Sequence, residues 1–136
     1  LNADSADATL SNSQERSASS ADYLADNMAK APVLMIPCIE GRIDNADGAN
    51  ASAQAGTMGS IIPAAWSFMR ASAAGGIGTA WTTLHLAHEK AVAELLGIPY
   101  ESYTQVALIP IAYTKGTEFK AAYRPPVETV MHVDEW

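Results

Sequence analysis

Residues 75–114 decide the fold of this chain, and they read GGIGTAWTTLHLAHEKAVAELLGIPYESYTQVALIPIAYT. The glycines at the start predict a turn, and residues 79–83 after it are rich in side chains that favour β-structure. A helix is expected next, and it ends where Gly97 supplies a left-handed residue and Pro99 prevents continuation. The apolar residues 106–112 then predict a buried strand. The stretch is therefore one supersecondary unit of turn, strand, helix and strand.

The helix in this unit has an amphipathic pattern. Val92, Leu95 and Leu96 follow the i, i+3, i+4 spacing that predicts one apolar face. The polar side is expected to carry His88, Glu89, Lys90 and Glu94.

Two segments before the glycine-rich turn have contrasting compositions. Residues 43–59 contain few bulky apolar side chains and several turn formers, and they predict a long loop. Residues 60–74 are apolar nearly all round and predict a buried helix, with Pro63 in its first turn. By itself this pattern favours a core helix over a helix in a subunit interface.

Composition and charge exclude several classes of function. The net charge of −7 argues against nucleic acid, which requires clustered Lys and Arg. The longest apolar run, residues 33–39, is too short to cross a bilayer, so no membrane partner is expected. The single cysteine, Cys38, fits a reducing compartment and predicts a cytoplasmic protein. Because it lies in an apolar run, we expect Cys38 to be a buried hydrophobe and not a nucleophile.

Other catalytic signatures are missing from the sequence. His85, His88 and Glu89 form HLAHE, which is not HExxH, and no third ligand is near, so we expect a solvated helix start and no metal site. The glycines at 75–78 do not make GxGxxG, and no serine stands in GxSxG.

The ordered set of elements resembles the C-terminal half of the nitroreductase family, the FMN-dependent NAD(P)H oxidoreductases. Family members have a "GLGT.W" turn, a "TTLH"-like segment, a helix ending in "LLGIP" and a strand like "ALIPVGY". Residues 31–42 (APVLMIPCIEGR) look like the family's first central strand, and residues 119–136 (FKAAYRPPVETVMHVDEW) are similar to its tail. The resemblance implies an α+β fold with a mixed β-sheet flanked by helices, and a C-terminal extension that embraces a second subunit.

The same resemblance implies a function and a site. It implies oxidoreduction through FMN, with hydride passing from NADH or NADPH to a nitroaromatic, a quinone or a similar small-molecule acceptor. It places Trp81, Thr82, Thr83 and Leu84 along the flavin edge, with the backbone N–H of Thr83 or Leu84 directed at N5 or O4. It places Arg124 at the FMN phosphate, in a basic cluster that is thinner than the family's and includes Lys120. It names no catalytic side chain.

The resemblance also bears on assembly and on the extent of the domain. It implies a homodimer and moves the helix at residues 60–74 into the subunit interface. We expect residues 1–20 to be a polar lead-in, either helical or partly disordered, and residues 21–136 to be the C-terminal part of a single domain. The family's basic FMN-phosphate segment has no counterpart in this chain, and we expect the chain alone to hold FMN weakly. A non-catalytic flavin-binding protein and an inactive fragment remain the alternatives.

Overall fold

The computed structural model describes residues 3–44, 50–116, 118–119, 121 and 124–136, and the chain divides into two units. One unit is Met28–Lys115, and the other combines Leu1–Asn27 with Gly116–Trp136. The helices are α1 (Ala3–Asn27), α2 (Ala51–Ala74) and α3 (Glu89–Leu96), and short 3₁₀ helices span Met28–Lys30, Leu84–His88 and Val127–Thr129. The strands are β1 (Val33–Met35), β2 (Cys38–Glu40), β3 (Ile77–Thr79), β4 (Tyr103–Gln105) and β5 (Ile109–Tyr113).

Strand β5 organises the Met28–Lys115 unit. It lies between β1 and β3 and runs antiparallel to both, with Met35 opposite Ile109 and Thr79 opposite Ile111. A second, two-stranded sheet pairs β2 with β4, also antiparallel. The core lies where α2 packs on the larger sheet, and it contains Ala65, Ala107, Ile109, Met35, Met69 and Ile111. The α+β class is thus confirmed, but the described strands form two small antiparallel sheets in place of the expected mixed sheet.

Helix α2 begins nine residues earlier than the sequence predicts. The expected loop at residues 43–59 is wrong from residue 51 onward, because Asn50 caps the helix by accepting a hydrogen bond from the Ala53 N–H at 3.0 Å. Pro63 consequently lies inside the helix and not in its first turn. The loop prediction for residues 45–49 falls outside the described residues.

Helix α3 presents a different face to the core from the one that its pattern predicts. Ala93 is fully buried, whereas Leu95 is 82% exposed and Leu96 is 57% exposed. Glu89, expected on the polar side, keeps only 14% of its side chain exposed. The prediction is therefore wrong for Leu95, Leu96 and Glu89, the last of which has a buried ionic partner. It is confirmed for the partly buried Val92 and for the exposed residues His88, Lys90 and Glu94.

The predicted strands occur with shifted bounds. Strand β3 ends at Thr79, so most of the β-prone residues 79–83 lie after it. Within them, Thr82 forms an isolated bridge with Leu108. The apolar residues 106–112 are largely buried as expected, but β5 begins at Ile109, and Val106 and Ala107 lie before it.

The second unit contains α1 and the C-terminal residues. Helix α1 covers most of the residues expected to be a lead-in and continues to Asn27. Near the C-terminus, the ring of His132 stacks on that of Trp136, with centroids 4.5 Å apart.

Candidate functional site

The segment from Trp81 to Leu84 is attached through Thr82 to Leu108, the residue just before β5. The Thr82 N–H donates to the Leu108 carbonyl at 3.1 Å, and the Leu108 N–H donates back at 2.9 Å. The Thr82 hydroxyl adds a hydrogen bond of 2.7 Å to the same carbonyl. Thr82 therefore has its backbone polar groups engaged, and it holds its neighbours at the edge of the unit.

The residues just after Thr82 have unengaged backbone donors. The first hydrogen bond of the 3₁₀ helix Leu84–His88 runs from the Leu86 N–H to the Thr83 carbonyl at 3.0 Å. Within the described part of the chain, the N–H groups of Thr83 and Leu84 donate to no other group, as is usual at a helix start. Leu84 is 82% exposed and Trp81 is half-exposed, so apolar side chains flank these donors.

A buried ion pair that the sequence patterns did not predict lies beside this segment. The Arg42 guanidinium donates from Nη1 to Glu89 Oε1 at 2.8 Å and from Nη2 to Oε2 at 2.9 Å. Only 8% of the Arg42 side chain and 14% of the Glu89 side chain are exposed. Asp44 is a second, more exposed partner, which accepts from Arg42 Nε at 3.0 Å. The bidentate geometry makes this a strong, directional contact.

Gln105 connects Glu89 to strand β4. Its backbone N–H donates to Glu89 Oε1 at 2.8 Å, and its side-chain amide donates to the Glu89 carbonyl at 3.0 Å. Burial opposes ionisation of Glu89, but the hydrogen bonds from Arg42 and Gln105 outweigh it. The pKa of this carboxyl therefore lies below its ordinary value.

His85 is a second buried polar group at this place. Among the described residues, neither of its ring nitrogens has a hydrogen-bond partner or contact with solvent, and the same holds for Gln105 Oε1. Burial lowers the pKa of His85, against the opposing influence of Glu89 and of the Gln105 side chain. The expectation of a solvated helix start is therefore wrong for His85 and right for the exposed His88.

A groove follows the C-terminal half of α2. Its volume is about 620 Å³, within the size range of small-molecule sites. It is lined by Trp66, Met69, Arg70, Ala73, Ala74 and Thr79. Ile62, Trp66 and Phe68 on the same helix are also substantially exposed. A helix this apolar therefore leaves part of its surface uncovered in the single chain.

Comparison with known proteins identifies the family. The family model described as "Nitroreductase family" matches residues 2–113, which is most of the chain. The chain belongs to the nitroreductase family. No curated protein and no solved structure matches it. Nitroreductases are in general flavin-dependent oxidoreductases and are usually dimeric.

The family match covers four of the five residues that are expected at the flavin site. Trp81, Thr82, Thr83 and Leu84 lie inside the matched region, whereas Arg124 lies beyond it. Arg124 is exposed and belongs to the unit with α1, whereas the other four belong to the Met28–Lys115 unit. Lys120, the other basic residue expected near it, falls outside the described residues.

Two further features of the chain bear on the expected chemistry. No group of three His, Cys, Asp or Glu side chains among the described residues is arranged to hold a metal ion. Cys38 is half-buried in β2, and burial together with the nearby Glu89 raises the pKa of its thiol. That environment disfavours the thiolate, in keeping with a structural role.

No described helix of the chain combines the length and apolarity that crossing a membrane requires.

The Arg42–Glu89 pair has only a weak signal in the sequence. Arg42 ends the run IPCIEGR and Glu89 ends HLAHE, and 47 residues separate the two. A charged residue after an apolar run usually lies at the surface, so the sequence gives no reason to pair Arg42 with Glu89. Only the tertiary structure reveals that contact.

Proposed function

We propose that this protein is an FMN-dependent oxidoreductase that uses NADH or NADPH to reduce a nitroaromatic, a quinone or a similar small-molecule acceptor. The observation that carries the proposal is the pair of unengaged donors at Thr83 and Leu84, in a segment pinned by Thr82 and inside the family-matched region. Bound FMN would supply the hydride-transfer chemistry, as flavins do in general. The protein's task is then to bind, orient and shield it.

The residues present suit that task. The N–H groups of Thr83 and Leu84 would donate to the polar edge of the flavin ring, and the Thr82–Leu108 bridge keeps them in place. Trp81 and Leu84 offer exposed apolar surface for the ring itself. We propose Arg124 as a charge-assisted donor to the phosphate. No side chain is proposed as catalytic.

We further propose that the protein works as a homodimer whose α2 helices meet, with the C-terminal residues extending across to the partner subunit. The exposed apolar side chains of α2 and its groove support this proposal, since large exposed apolar patches mark interaction sites. We propose a cytoplasmic location because the single cysteine fits a reducing compartment. The division into a lead-in at residues 1–20 and one domain at 21–136 stays a prediction.

The test is a flavin titration followed by turnover, both with the full-length protein. We expect quenching of FMN fluorescence to saturate, and NADH or NADPH oxidation to require protein, FMN and a quinone or nitroaromatic acceptor. Free FMN at the same concentration is the control. Saturable FMN binding without oxidation would favour a non-catalytic flavin-binding protein. If the full-length protein binds no FMN, the proposed function is wrong and an inactive member of the family remains.

A further inference from the structure

Residues 83–88, here called the donor arch, are anchored at both ends. At the first end, Thr82 is joined to Leu108 by three hydrogen bonds of 2.7 to 3.1 Å. At the other end, the arch runs directly into Glu89, the first residue of α3. Glu89 is bonded to Gln105 on β4 and to Arg42 just after β2. The arch therefore runs between two fixed points, the bridge at Leu108 just before β5 and the ion pair beside β4.

The second anchor is built around Arg42. Besides Glu89, its guanidinium donates to the carbonyls of Tyr103 at 2.9 Å and Tyr100 at 3.3 Å. It also lies 4.1 Å from the centre of the Tyr100 ring, a cation–π distance. Arg42 thus connects the end of β2, the start of α3 and the turn before β4. A lysine cannot reproduce this, because it lacks the planar fork of donors.

The arch has little of its own to fix its shape. Its 3₁₀ turn is short, and Thr83 supplies no side-chain cap. The buried His85 ring makes no hydrogen bond among the described residues. We therefore expect the direction of the Thr83 and Leu84 N–H groups to depend on how Thr82 and Glu89 are held at the two ends of the arch.

We propose that Arg42 and Glu89 are positioning residues, which aim the backbone donors of the arch through their buried ion pair. The inference rests on the proposed function, since the donors are taken to face the flavin ring. Donors aimed at the ring edge bind the more electron-rich, reduced flavin better than the oxidised form. Misaiming the donors would therefore weaken binding of reduced FMN more than that of oxidised FMN.

The variants are chosen to disturb the pair with little change in volume. Glu89→Gln keeps an oxygen for the Gln105 N–H but removes the charge. Arg42→Lys keeps the charge but removes the bidentate contact. Asp44→Asn is the matched control, because it neutralises the other carboxylate bonded to Arg42, which is half-exposed, and leaves the Arg42–Glu89 contact in place.

The first readout is the midpoint potential of FMN bound to the full-length protein. In Glu89→Gln and Arg42→Lys, we expect the preference for reduced over oxidised FMN to fall about tenfold, a shift of about −30 mV for a two-electron couple. In Asp44→Asn the preference for reduced over oxidised FMN should stay within twofold of its wild-type value. Lower thermal stability with an unchanged potential in both test variants would overturn the proposal, because the pair would then serve stability alone.

The second readout needs no flavin. In the free protein, the amide NMR shifts of Thr83 and Leu84 should move in Glu89→Gln and Arg42→Lys but not in Asp44→Asn. Unmoved shifts in the two test variants would contradict positioning of the arch. If the wild-type protein binds no FMN, the proposed function fails, and this measurement alone decides whether the pair positions the arch.

Discussion

His85 illustrates at the scale of one residue how burial changes the behaviour of a side chain. An exposed histidine titrates near pH 6.5, but both ring nitrogens of His85 are buried without a hydrogen-bond partner in the described part of the chain, and burial lowers the pKa of the ring. The neutral ring is tolerated, whereas the charged ring would lose its hydration. Glu89, one helical turn later, keeps its charge because it has Arg42. Two neighbouring titratable groups thus favour different states: His85 is neutral because it is buried, and Glu89 is ionised because it is paired with Arg42.

The first prediction concerns the pH dependence of stability. Because the folded-state pKa of His85 lies below 6.5, the unfolded chain binds the extra proton first as the pH falls. The free energy of unfolding should therefore be highest above about pH 6.5 and decline below it, by at most about 1.4 kcal/mol per pH unit for one proton. The stabilisation by Glu89, whose pKa is lowered from 4.5, disappears only at more acidic pH. Urea denaturation from pH 7.5 to 5 measures the slope.

The variants His85→Gln and His88→Gln separate this contribution from others. We expect the slope to flatten in His85→Gln and to persist in His88→Gln, which alters an exposed histidine of the same 3₁₀ helix. Parallel curves for the wild type and His85→Gln would show that the buried ring is not the source.

The second prediction tests Arg124 as the phosphate ligand. Arg124→Ala should weaken FMN binding by about 1.5–3 kcal/mol, the range for hydrogen bonds to charged groups. Riboflavin, which lacks the phosphate, should bind with nearly unchanged affinity. Lys115→Ala, another exposed cation, serves as the control. Equal losses for FMN and riboflavin would mean that Arg124 supports structure and does not bind the phosphate.

At the scale of elements, the pairing of β3 with β5 depends on the absence of a side chain at Gly78. Gly78 lies opposite Ala112, and an added Cβ would come within 2.8 Å of Thr114 Cγ2 and 3.4 Å of the Ala112 carbonyl. Thr114 is held nearby, since its hydroxyl reaches the Gly76 carbonyl at 3.4 Å. The glycine-rich turn predicted from sequence thus continues into strand β3, where Gly78 has no room for a side chain.

The third prediction follows from that contact. Gly78→Ala should lower the free energy of unfolding by about 1–3 kcal/mol, as overpacking does. Adding Thr114→Ser should recover part of the loss, because serine lacks the clashing methyl group. Gly56→Ala in α2 is a control with the opposite sign: its new methyl group meets nothing within 4 Å, and alanine stabilises a helix interior by about 0.5–1 kcal/mol. Failure of Thr114→Ser to recover any stability would contradict this explanation.

At the scale of the whole molecule, helix α2 exposes large apolar side chains in the single chain. Among its residues, Ala65 is buried, while Ile62, Trp66 and Phe68 expose between 38% and 56% of their surface. The sequence by itself favoured a core helix, and the family resemblance favoured an interface. The exposed side chains support the second interpretation as a proposal.

The fourth prediction is that the full-length protein is a homodimer at micromolar concentration. Trp66→Glu should raise the dimer dissociation constant by about thirtyfold or more, as loss of about 2 kcal/mol at an aromatic hot spot implies. Leu95→Glu, which alters an equally apolar exposed residue on α3, should have little effect. Sedimentation velocity measures both. A stable, folded wild-type monomer at that concentration would contradict the prediction.

The sequence by itself determined those features that depend on neighbours along the chain. Gly97 adopts φ of 70° and ends α3, and its N–H bonds to the Ala93 carbonyl, as a glycine followed by Ile98 and Pro99 predicts. The order of turn, strand, helix and strand follows from the same kind of local evidence. So does the burial of Val106, Ala107 and Ile109. These outcomes depend on backbone preferences and apolar runs, which a sequence displays directly. Asn50, a residue type favoured at helix N-caps, is likewise a local signal for the start of α2.

Only the tertiary structure decided which polar groups are buried and which apolar ones are not. Glu89 is enclosed because Arg42 reaches it from 47 residues away, while Leu95 and Leu96 on the same helix are exposed. The pinning of Thr82 likewise depends on Leu108, 26 residues further along. A buried charge is stable only beside its partner, and partners distant in sequence become neighbours only when the chain has folded. For that reason the family resemblance could imply donors at Thr83 and Leu84, whereas the contacts that hold this segment emerged only from the tertiary structure.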